Sequence, residues 1–345
     1  MIQTVLSAYG LEGANVQPFG TGLINNTWKI AAAGKTYILQ RINHHVFKEP
    51  QNITDNIRLM AEYLSENHPD YLFVAPVASK KGDDMMFLEG EGFFRLFPFV
   101  SGSHTIDVVQ TPGQAYEAAA QFGRFTRLLS GIDIKKLKIT IPDFHNLSLR
   151  YRQFRDALKN GNKKRINESR EMVETVSDYA GIVNVYEKIK TDPAFHLRVT
   201  HHDTKISNVL FDKNDKGLCV IDLDTVMPGY FISDAGDMMR TYLSPVSEEE
   251  IDLNKITVRE DFYKAIVQGY IDEMKDELTE REKDYFFYAG QFMIYMQALR
   301  FLTDYFNNDV YYGEKYPGHN LVRAKNQITL LRRLLQQEVL FKKLM

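Results

Sequence analysis

The order His201, Asp203, Asn208 and then Asp222, read in "HHDTKISNVLFD" and "CVIDLDT", constrains this chain more than any other feature. An H-x-D-x-x-x-x-N arrangement precedes a strand-like run, and nineteen residues beyond Asp203 a second apolar run ends in the carboxylates Asp222 and Asp224. Singly, Asp203 reads as a turn cap, Asn208 as the start of a strand and Asp222 as a solvated strand end. Joined in this order by the turn "DKNDKG", they match what phosphoryl transfer from a nucleotide requires. One carboxylate accepts the proton of an acceptor hydroxyl, while an amide oxygen and a second carboxylate hold Mg²⁺ against the phosphates. Asp203 suits the first role, and Asn208 with Asp222 the second. His201 reads as a scaffold residue and His202 stays unassigned.

A chain of 345 residues exceeds the usual size of one compact core, so two closely joined lobes are expected. Hydrophobic residues make up 44%, enough for real cores, and 42 basic residues against 45 acidic ones leave a net charge of −3. That balance suits no polyanion, so nucleic acid is not an expected partner. Residues 1–20 lack a basic start followed by a sustained apolar run, and no stretch is long enough to cross a bilayer. A cytoplasmic protein with no membrane partner is the expectation. The lone Cys219, in "GLCVIDLD", reads as a buried packing residue.

No repeat, low-complexity tract or linker interrupts the chain. After a short helical start, residues 28–32 and 37–42 read as strands around a turn at Gly34. "PQNITDNIRLMAEYLSE" carries Ile53, Ile57, Met60, Ala61 and Leu64 at helical spacing. "MMFL" and "FFRLFPFV" then lead to Pro98, where a strand should end. Beyond that point, helices are expected at about 112–130, 147–160, 166–190, 258–276, 281–306 and 320–340. The aromatic series Phe286, Phe287, Tyr288, Phe292 and Tyr295 reads as core packing, and Asp234 and Asp237 as scaffold at a helix start.

The catalytic segment resembles the aminoglycoside phosphotransferase and choline kinase-like superfamily, and the resemblance covers nearly the whole chain. "HDTKISNVLFD", "VIDLDTVMPG" and "ALRFLTDY" are most similar to strings of N-acetylhexosamine 1-kinases. The resemblance implies an α+β, bilobal protein-kinase-like fold. A small antiparallel β-sheet lobe, residues 1–98, would bind ATP, and a mainly helical lobe, residues 99–345, would carry catalysis and the acceptor. It implies Asp203 as catalytic base, Asn208 and Asp222 as Mg²⁺ ligands, and Asp224 as a second acidic group at the metal. Lys205 reads equally as a solvated surface lysine or as an ammonium that neutralises charge on the phosphoryl group in transfer.

For the nucleotide, "FGTGLINNTWKI" offers Gly20 and Gly22, where the missing Cβ lets backbone amides approach phosphates. The family usually places a phosphate-pairing lysine on the third strand, but "TYILQRIN" puts Gln40 there with Arg41 next. Successive strand residues face opposite ways, so Arg41 replaces Gln40 only through a register shift or bulge. Glu62 is the candidate acidic partner on the following helix, and "RLFPFVS", with Phe97, the hinge at adenine. For the acceptor, the resemblance implies that Arg300 and Tyr311 hold a sugar; Arg300 and Asp304 also stand at the spacing of a helix-surface ion pair. Leu23 occupies a place where those sugar kinases are expected to carry histidine. The expected activity is therefore ATP- and Mg²⁺-dependent phosphorylation of a sugar hydroxyl, at the anomeric position of a hexose or N-acetylhexosamine. The rivals are a choline, homoserine or aminoglycoside kinase and a nucleotide-binding pseudokinase, which Gln40 favours. No G-x-S-x-G, H-E-x-x-H or C-x-P-x-R string supports a hydrolase.

Overall fold

A computed structural model describes residues 1–20 and 25–343 of the chain. Its first part comprises α1 (Ile2–Ala8), β1 (Asn15–Pro18), β2 (Asn26–Ala32), β3 (Lys35–Ile42), α2 (Pro50–Asn67), β4 (Met86–Leu88) and β5 (Gly92–Pro98). The five strands form one antiparallel sheet in the order β1-β2-β3-β5-β4. β2 and β3 meet through Ala33 and Gly34, both at positive φ (48° and 76°), the two-residue hairpin geometry that matches strand twist.

Alternation along β3 and β5 divides the sheet into two faces. Leu39, Phe94 and Leu96, with Ile30 of β2, pack on Val5 and Leu6 of α1 in a small apolar cluster. Ile42, Phe93 and Phe97 face the other way, toward a larger cluster that also holds Ile53, Ile57, Met60 and Leu64 of α2. Thus α2 leaves the sheet's sequence neighbourhood and packs with the later helices.

The remainder is helical except around the catalytic segment. Helices α3 (Pro112–Leu128), α4 (Leu147–Asn160), α5 (Lys163–Glu168), α6 (Arg170–Asp178) and α7 (Gly181–Thr191) lead into β6 (Arg198–Thr200), β7 (Val209–Phe211), β8 (Gly217–Val220) and β9 (Met227–Gly229). Then follow α8 (Phe231–Tyr242), α9 (Glu260–Met274), α10 (Glu280–Lys283), α11 (Phe286–Phe306), α12 (His319–Leu335) and α13 (Glu338–Phe341). Thr111 and Gln114 close a reciprocal capping box at the start of α3, with Pro112 in its first turn. The fold is therefore a mixed α+β one, a small antiparallel sheet joined to a helical portion. We propose residue 98 as the boundary between the two lobes, because β5 and the five-stranded sheet end there.

Several elements depart from the expected pattern: β1 had no counterpart, and the helix expected over 281–306 is divided into α10 and α11. The helix expected over 166–190 is three helices, because the chain turns at Ser169 (φ −113°) and again before Gly181. The second break has a use: Ala180 N–H bonds the carbonyl of Ser177, and the Val176 carbonyl instead accepts the Tyr295 hydroxyl at 2.8 Å. α8 is marked in the sequence only by its two aspartates. It lies close on α11, where a Cβ on Gly236 would come within 2.3 Å of the Ala289 carbonyl oxygen.

β6 is fixed by a buried ion pair. Arg198 donates to both oxygens of Glu282, at 2.6 and 2.8 Å, and Glu282 also accepts the amides of His196 and Thr279. Glu282 is fully buried, so every lone pair it offers must be met within the protein. Replacing Glu282 by Ala should lower stability by about 3 to 5 kcal/mol, read as the midpoint of urea unfolding, because Arg198 is left as an uncompensated buried charge. A midpoint within error of wild type would show the pair to be dispensable.

Candidate active site

β6 delivers the chain into a loop, residues 201–208, that pairs with no strand. Its backbone amides end on carboxylates instead. Asp234, in the first turn of α8, accepts the amides of His201 (3.0 Å) and His202 (2.8 Å), and Asp237, one turn on, accepts that of Thr204 (2.9 Å). Tyr242 of the same helix donates its hydroxyl to the Thr204 carbonyl at 2.6 Å. Burial pushes Asp234 up to about 7, against the lowering effect of the two amides it accepts. His202 adopts φ 65°, a left-handed conformation that costs a histidine little compared with a branched residue.

His201 is wholly buried among Phe122 and Phe125, and its Nε2 stands 2.9 Å from the Ile221 carbonyl. A carbonyl can only accept, so Nε2 carries the proton and Nδ1 is left to accept the Asp203 amide at 3.4 Å. Burial lowers the pKa of His201, consistent with a neutral scaffold residue.

Asp203 is bounded by an ammonium and an amide. Lys205 Nζ lies 3.1 Å from Oδ1, and Asn208 Nδ2 donates to Oδ2 at 3.1 Å and to the Asp203 carbonyl at 2.9 Å. Burial alone would raise this carboxyl, but the Lys205 ammonium outweighs it, with Arg240 adding to its effect, and holds it below the ordinary aspartate range. Asp203 is therefore ionised and oriented. Because Asn208 spends its nitrogen on Asp203, its Oδ1 is the end left for a cation.

β7 and β8 form the hairpin after the loop, and Ile221 N–H returns to the Asn208 carbonyl at 2.8 Å, drawing Asp222 back toward Asp203. Asp222 adopts a left-handed conformation (φ 60°, ψ 60°), strained for a side chain with Cβ and common at functional positions. Although its side chain is open to solvent, it sits low in the cleft, and desolvation followed by the charges of Asp224 and Asp203 pushes it up to about 7. Among the described residues, no three His, Cys, Asp or Glu side chains converge into a metal cage. A nucleotide-bound Mg²⁺ needs none, since it takes one or two protein groups and completes its shell with phosphate oxygens and water. Asn208 Oδ1 and the repelled carboxylate of Asp222 fit that demand.

Asp224, expected beside the metal, lies against Arg95. Its Oδ1 lies 2.5 Å from Arg95 Nη2 of β5, an ion pair without hydrogen-bond geometry, and its Oδ2 accepts Nδ2 of Asn25, the residue before β2, at 2.8 Å. Gln40 faces the cleft and accepts Arg95 Nη2 and Nε at 2.8 and 3.2 Å. Arg41 faces the opposite side of β3, with no register shift, and pairs with Glu91 at 3.3 Å. Glu62 is exposed on α2, outside this cluster. The buried polar group of α2 is Asn56, which bonds the carbonyl of Val226, just after the aspartates, and both the amide and the carbonyl of Lys138. Phe97 lies on the face of Gln40 and Arg95, 5.0 Å below the guanidinium. Gly20 adopts φ 79°, a conformation that favours glycine, while Gly22 and Leu23 lie outside the described residues.

On the acceptor side, His202 Nδ1 stands 3.3 Å from His145 Nδ1, and His145 stacks on Phe144 at 4.4 Å. Arg300 lies over the Phe144 ring at 5.7 Å, and donates to Gln297 (3.2 Å) and weakly to the Tyr311 hydroxyl (3.5 Å). Arg150 donates to the carbonyls of Asp143 and Phe144. Asp304 is not the partner of Arg300: it accepts the amides of Tyr311 and Tyr312, at 2.8 and 2.9 Å, and so fixes the loop that presents Tyr311. Tyr288 and Tyr295 turn their hydroxyls to helix carbonyls, and Cys219 is buried with its thiol pushed up to about 12.

Sequence reasoning missed Asn25, Asn56, Arg95, Arg150 and His145. Arg95 alone carried a signal, a single charge inside the aromatic run "FFRLFPF", where an unpaired arginine would be too costly to bury.

Comparison with known proteins agrees with this geometry. Overall the chain is similar to an aminoglycoside phosphotransferase from Alicyclobacillus acidocaldarius (14% identity, 97% of this chain and 95% of that chain covered, TM-score 0.64). It is similar also to a microcompartment-associated aminopropanol kinase (14%, 99% and 98%, TM-score 0.67). A third likeness is to an amicoumacin kinase in complex with AMP-PNP and Ca²⁺ (13%, 96% and 92%, TM-score 0.66). At such identities these likenesses establish the fold. A phosphotransferase enzyme family, APH, matches residues 15–278, a span that holds the sheet, the catalytic loop and both aspartates of "IDLD". The chain belongs to that family and is an enzyme of the phosphotransferase class.

Proposed function

We propose that this protein transfers the γ-phosphoryl group of ATP, with Mg²⁺, to a hydroxyl of a small polar molecule. The observation that carries the reading is the convergence of Asp203, Lys205, Asn208 and Asp222 on one loop and one hairpin. Asp203 is held ionised with its oxygens fixed by Lys205 and Asn208, so it orients an acceptor hydroxyl and collects its proton late in a loose transition state. Lys205, half-exposed at the rim, is placed to balance negative charge on the group in transfer. When bound between Asn208 and Asp222, Mg²⁺ would supply neutralisation of the phosphates. Phe97 and the end of β5 would border the base.

Two acceptor classes compete, each with its own support. Amino alcohols and aminoglycosides are favoured by the relatives, among them an aminopropanol kinase and a spectinomycin phosphotransferase bound to ADP and spectinomycin. A sugar phosphorylated at its anomeric hydroxyl, of the N-acetylhexosamine type, is favoured by the acceptor wall. Arg150 and Arg300 flank Phe144 there, and among the described residues neither has a carboxylate within salt-bridge distance. Cationic acceptors call for acidic or aromatic cages, whereas neutral polyols suit this mixture of guanidinium, amide and hydroxyl groups.

Replacing Asp203 by Asn should leave ADP binding intact and lower kcat by about 10²-fold or more, the scale of a lost positioned base; near-wild-type turnover would remove its role. The acceptor class is decided by following ADP release over a panel of hexoses, N-acetylhexosamines, choline, homoserine, aminopropanol and aminoglycosides. With a sugar acceptor, Arg300→Ala should raise the acceptor KM roughly tenfold while leaving the ATP KM unchanged, and phosphorus NMR should show coupling to the anomeric proton. Turnover of an amino alcohol alone, or a 6-phosphate product, would decide against the sugar. Nucleotide binding without turnover on every acceptor would mark a pseudokinase.

A further inference from the structure

We propose that Arg95 of β5 does the work expected of a lysine on β3: its guanidinium meets the nucleotide phosphates, with Asp224 as its counter-ion rather than a metal ligand. The inference rests on the reading of this protein as a nucleotide-dependent enzyme, and adds which residue supplies the cation and which carboxylate is withdrawn from the metal.

The register of the sheet makes the exchange possible. Gln40 and Arg95 are direct cross-strand neighbours, so their side chains leave the same face a few ångströms apart. The longer arginine covers the position that a β3 cation would occupy. Gln40 is then suited to its place: its Oε1 accepts two guanidinium N–H groups, whereas a lysine there would set like charge against Arg95.

The guanidinium is 2% exposed and its counter-ion is 3% exposed. Nε and Nη2 are committed to Gln40 and Asp224, but Nη1 is buried with no acceptor among the described residues. A buried charged donor without a partner is costly in a finished site and expected in one that awaits an anion. The neighbours fix which anion. On one side the ring of Phe97 lies 5.0 Å away along the same strand face, toward the end of β5. On the other side, Asp224 stands two residues from Asp222. Arg95 thus sits between the region proposed for the base and the group proposed for the metal, where a nucleotide carries its α- and β-phosphates.

Asp224 is drawn away from a metal by its neighbours. Arg95 stands against Oδ1 as an ion pair without hydrogen-bond geometry, and Asn25 donates to Oδ2, while Asn25 Oδ1 itself accepts the Asn43 amide. Asp222, two residues away and exposed, is the carboxylate of the pair left open to a cation.

The test measures binding to the full-length protein by calorimetry in metal-free buffer, with ADP and adenosine as probes. Wild type should prefer ADP. Arg95→Gln should weaken ADP by roughly tenfold or more while leaving adenosine unchanged, the scale of a lost charge-assisted hydrogen bond. Moving the cation to β3, as Gln40→Lys with Arg95→Gln, should restore most of the loss, which a purely structural tie between sheet and loop would not do. If Arg95→Gln fails to fold because Asp224 is left unpaired, Arg95→Gln with Asp224→Asn removes both charges and should show the same selective loss. In a separate titration of Mn²⁺ into the ADP complex, Asp224→Asn should stay within about threefold of wild type and Asp222→Asn should lose at least roughly tenfold. ADP binding undiminished in both Arg95 variants, equal loss of ADP and adenosine, or loss of Mn²⁺ in Asp224→Asn would overturn the proposal. Wild type that binds neither probe would overturn the nucleotide-dependent function itself.

Discussion

Three backbone amides of the catalytic loop, those of His201, His202 and Thr204, end on two carboxylates one turn apart on α8, and the site depends on that arrangement. A loop that joins no sheet has to find acceptors elsewhere for its buried N–H groups. Asp234 and Asp237 meet that need from a helix clamped on α11, so the loop inherits the rigidity of the helical core. Arg240, on the same helix, returns to Asp237 at 2.9 Å and to Glu248 at 2.7 Å, which places balancing positive charge behind the carboxylates. Asp203 is held in an uncommon backbone path without any regular secondary structure of its own.

The first part of the chain is tied to the segment after this loop mainly by side chains, with one backbone bridge. Arg95 and Asn25 reach Asp224, Asn56 reaches the Val226 carbonyl, and His104, beyond the sheet, pairs its backbone with Phe211 of β7. Each contact ends on the hairpin that follows Asn208, or on the "IDLD" segment and the residues just after it, so a movement of the sheet would be felt at Asp222. The ion pair of Arg95 and Asp224 is the strongest of these links by charge and by burial, and both partners lack water to compete for them.

Charge is distributed across the cleft in a consistent way. Carboxylates Asp203 and Asp222 occupy the floor, where a metal and a transferring phosphoryl group would sit, and after desolvation it is repulsion from Asp224 and Asp203 that raises Asp222. The acceptor wall is cationic and aromatic instead, through Arg150, Arg300, Phe144 and Tyr311. Two neighbouring regions thus make opposite demands on their ligands, a division that suits a phosphotransferase joining an anionic donor to a small-molecule acceptor.

The catalytic segment was legible because its chemistry is local: Asp203 to Asn208 spans a single loop turn, and Asp222 follows one hairpin later, so spacing alone brings them together. Four of the five strands of the sheet and the long helix α11 were legible by periodicity, as was the burial of its aromatic residues. Pairings across the sequence were not. Nothing in "FFRLFPF" names Asp224 as the partner of Arg95, and the i, i+4 spacing of Arg300 and Asp304 pointed to an ion pair that the fold replaces with amide bonds to Tyr311 and Tyr312. The second break within 166–190, before Gly181, likewise goes with a distant group, the Tyr295 hydroxyl of α11 on the Val176 carbonyl. The sequence by itself determined the order of catalytic groups and the period of each element, because these depend on neighbours a few residues away. Tertiary structure decided which arginine pairs with Asp224 and which aspartate stays exposed, because buried charges are assigned by proximity in space, over separations such as the one between Arg95 and Asp224.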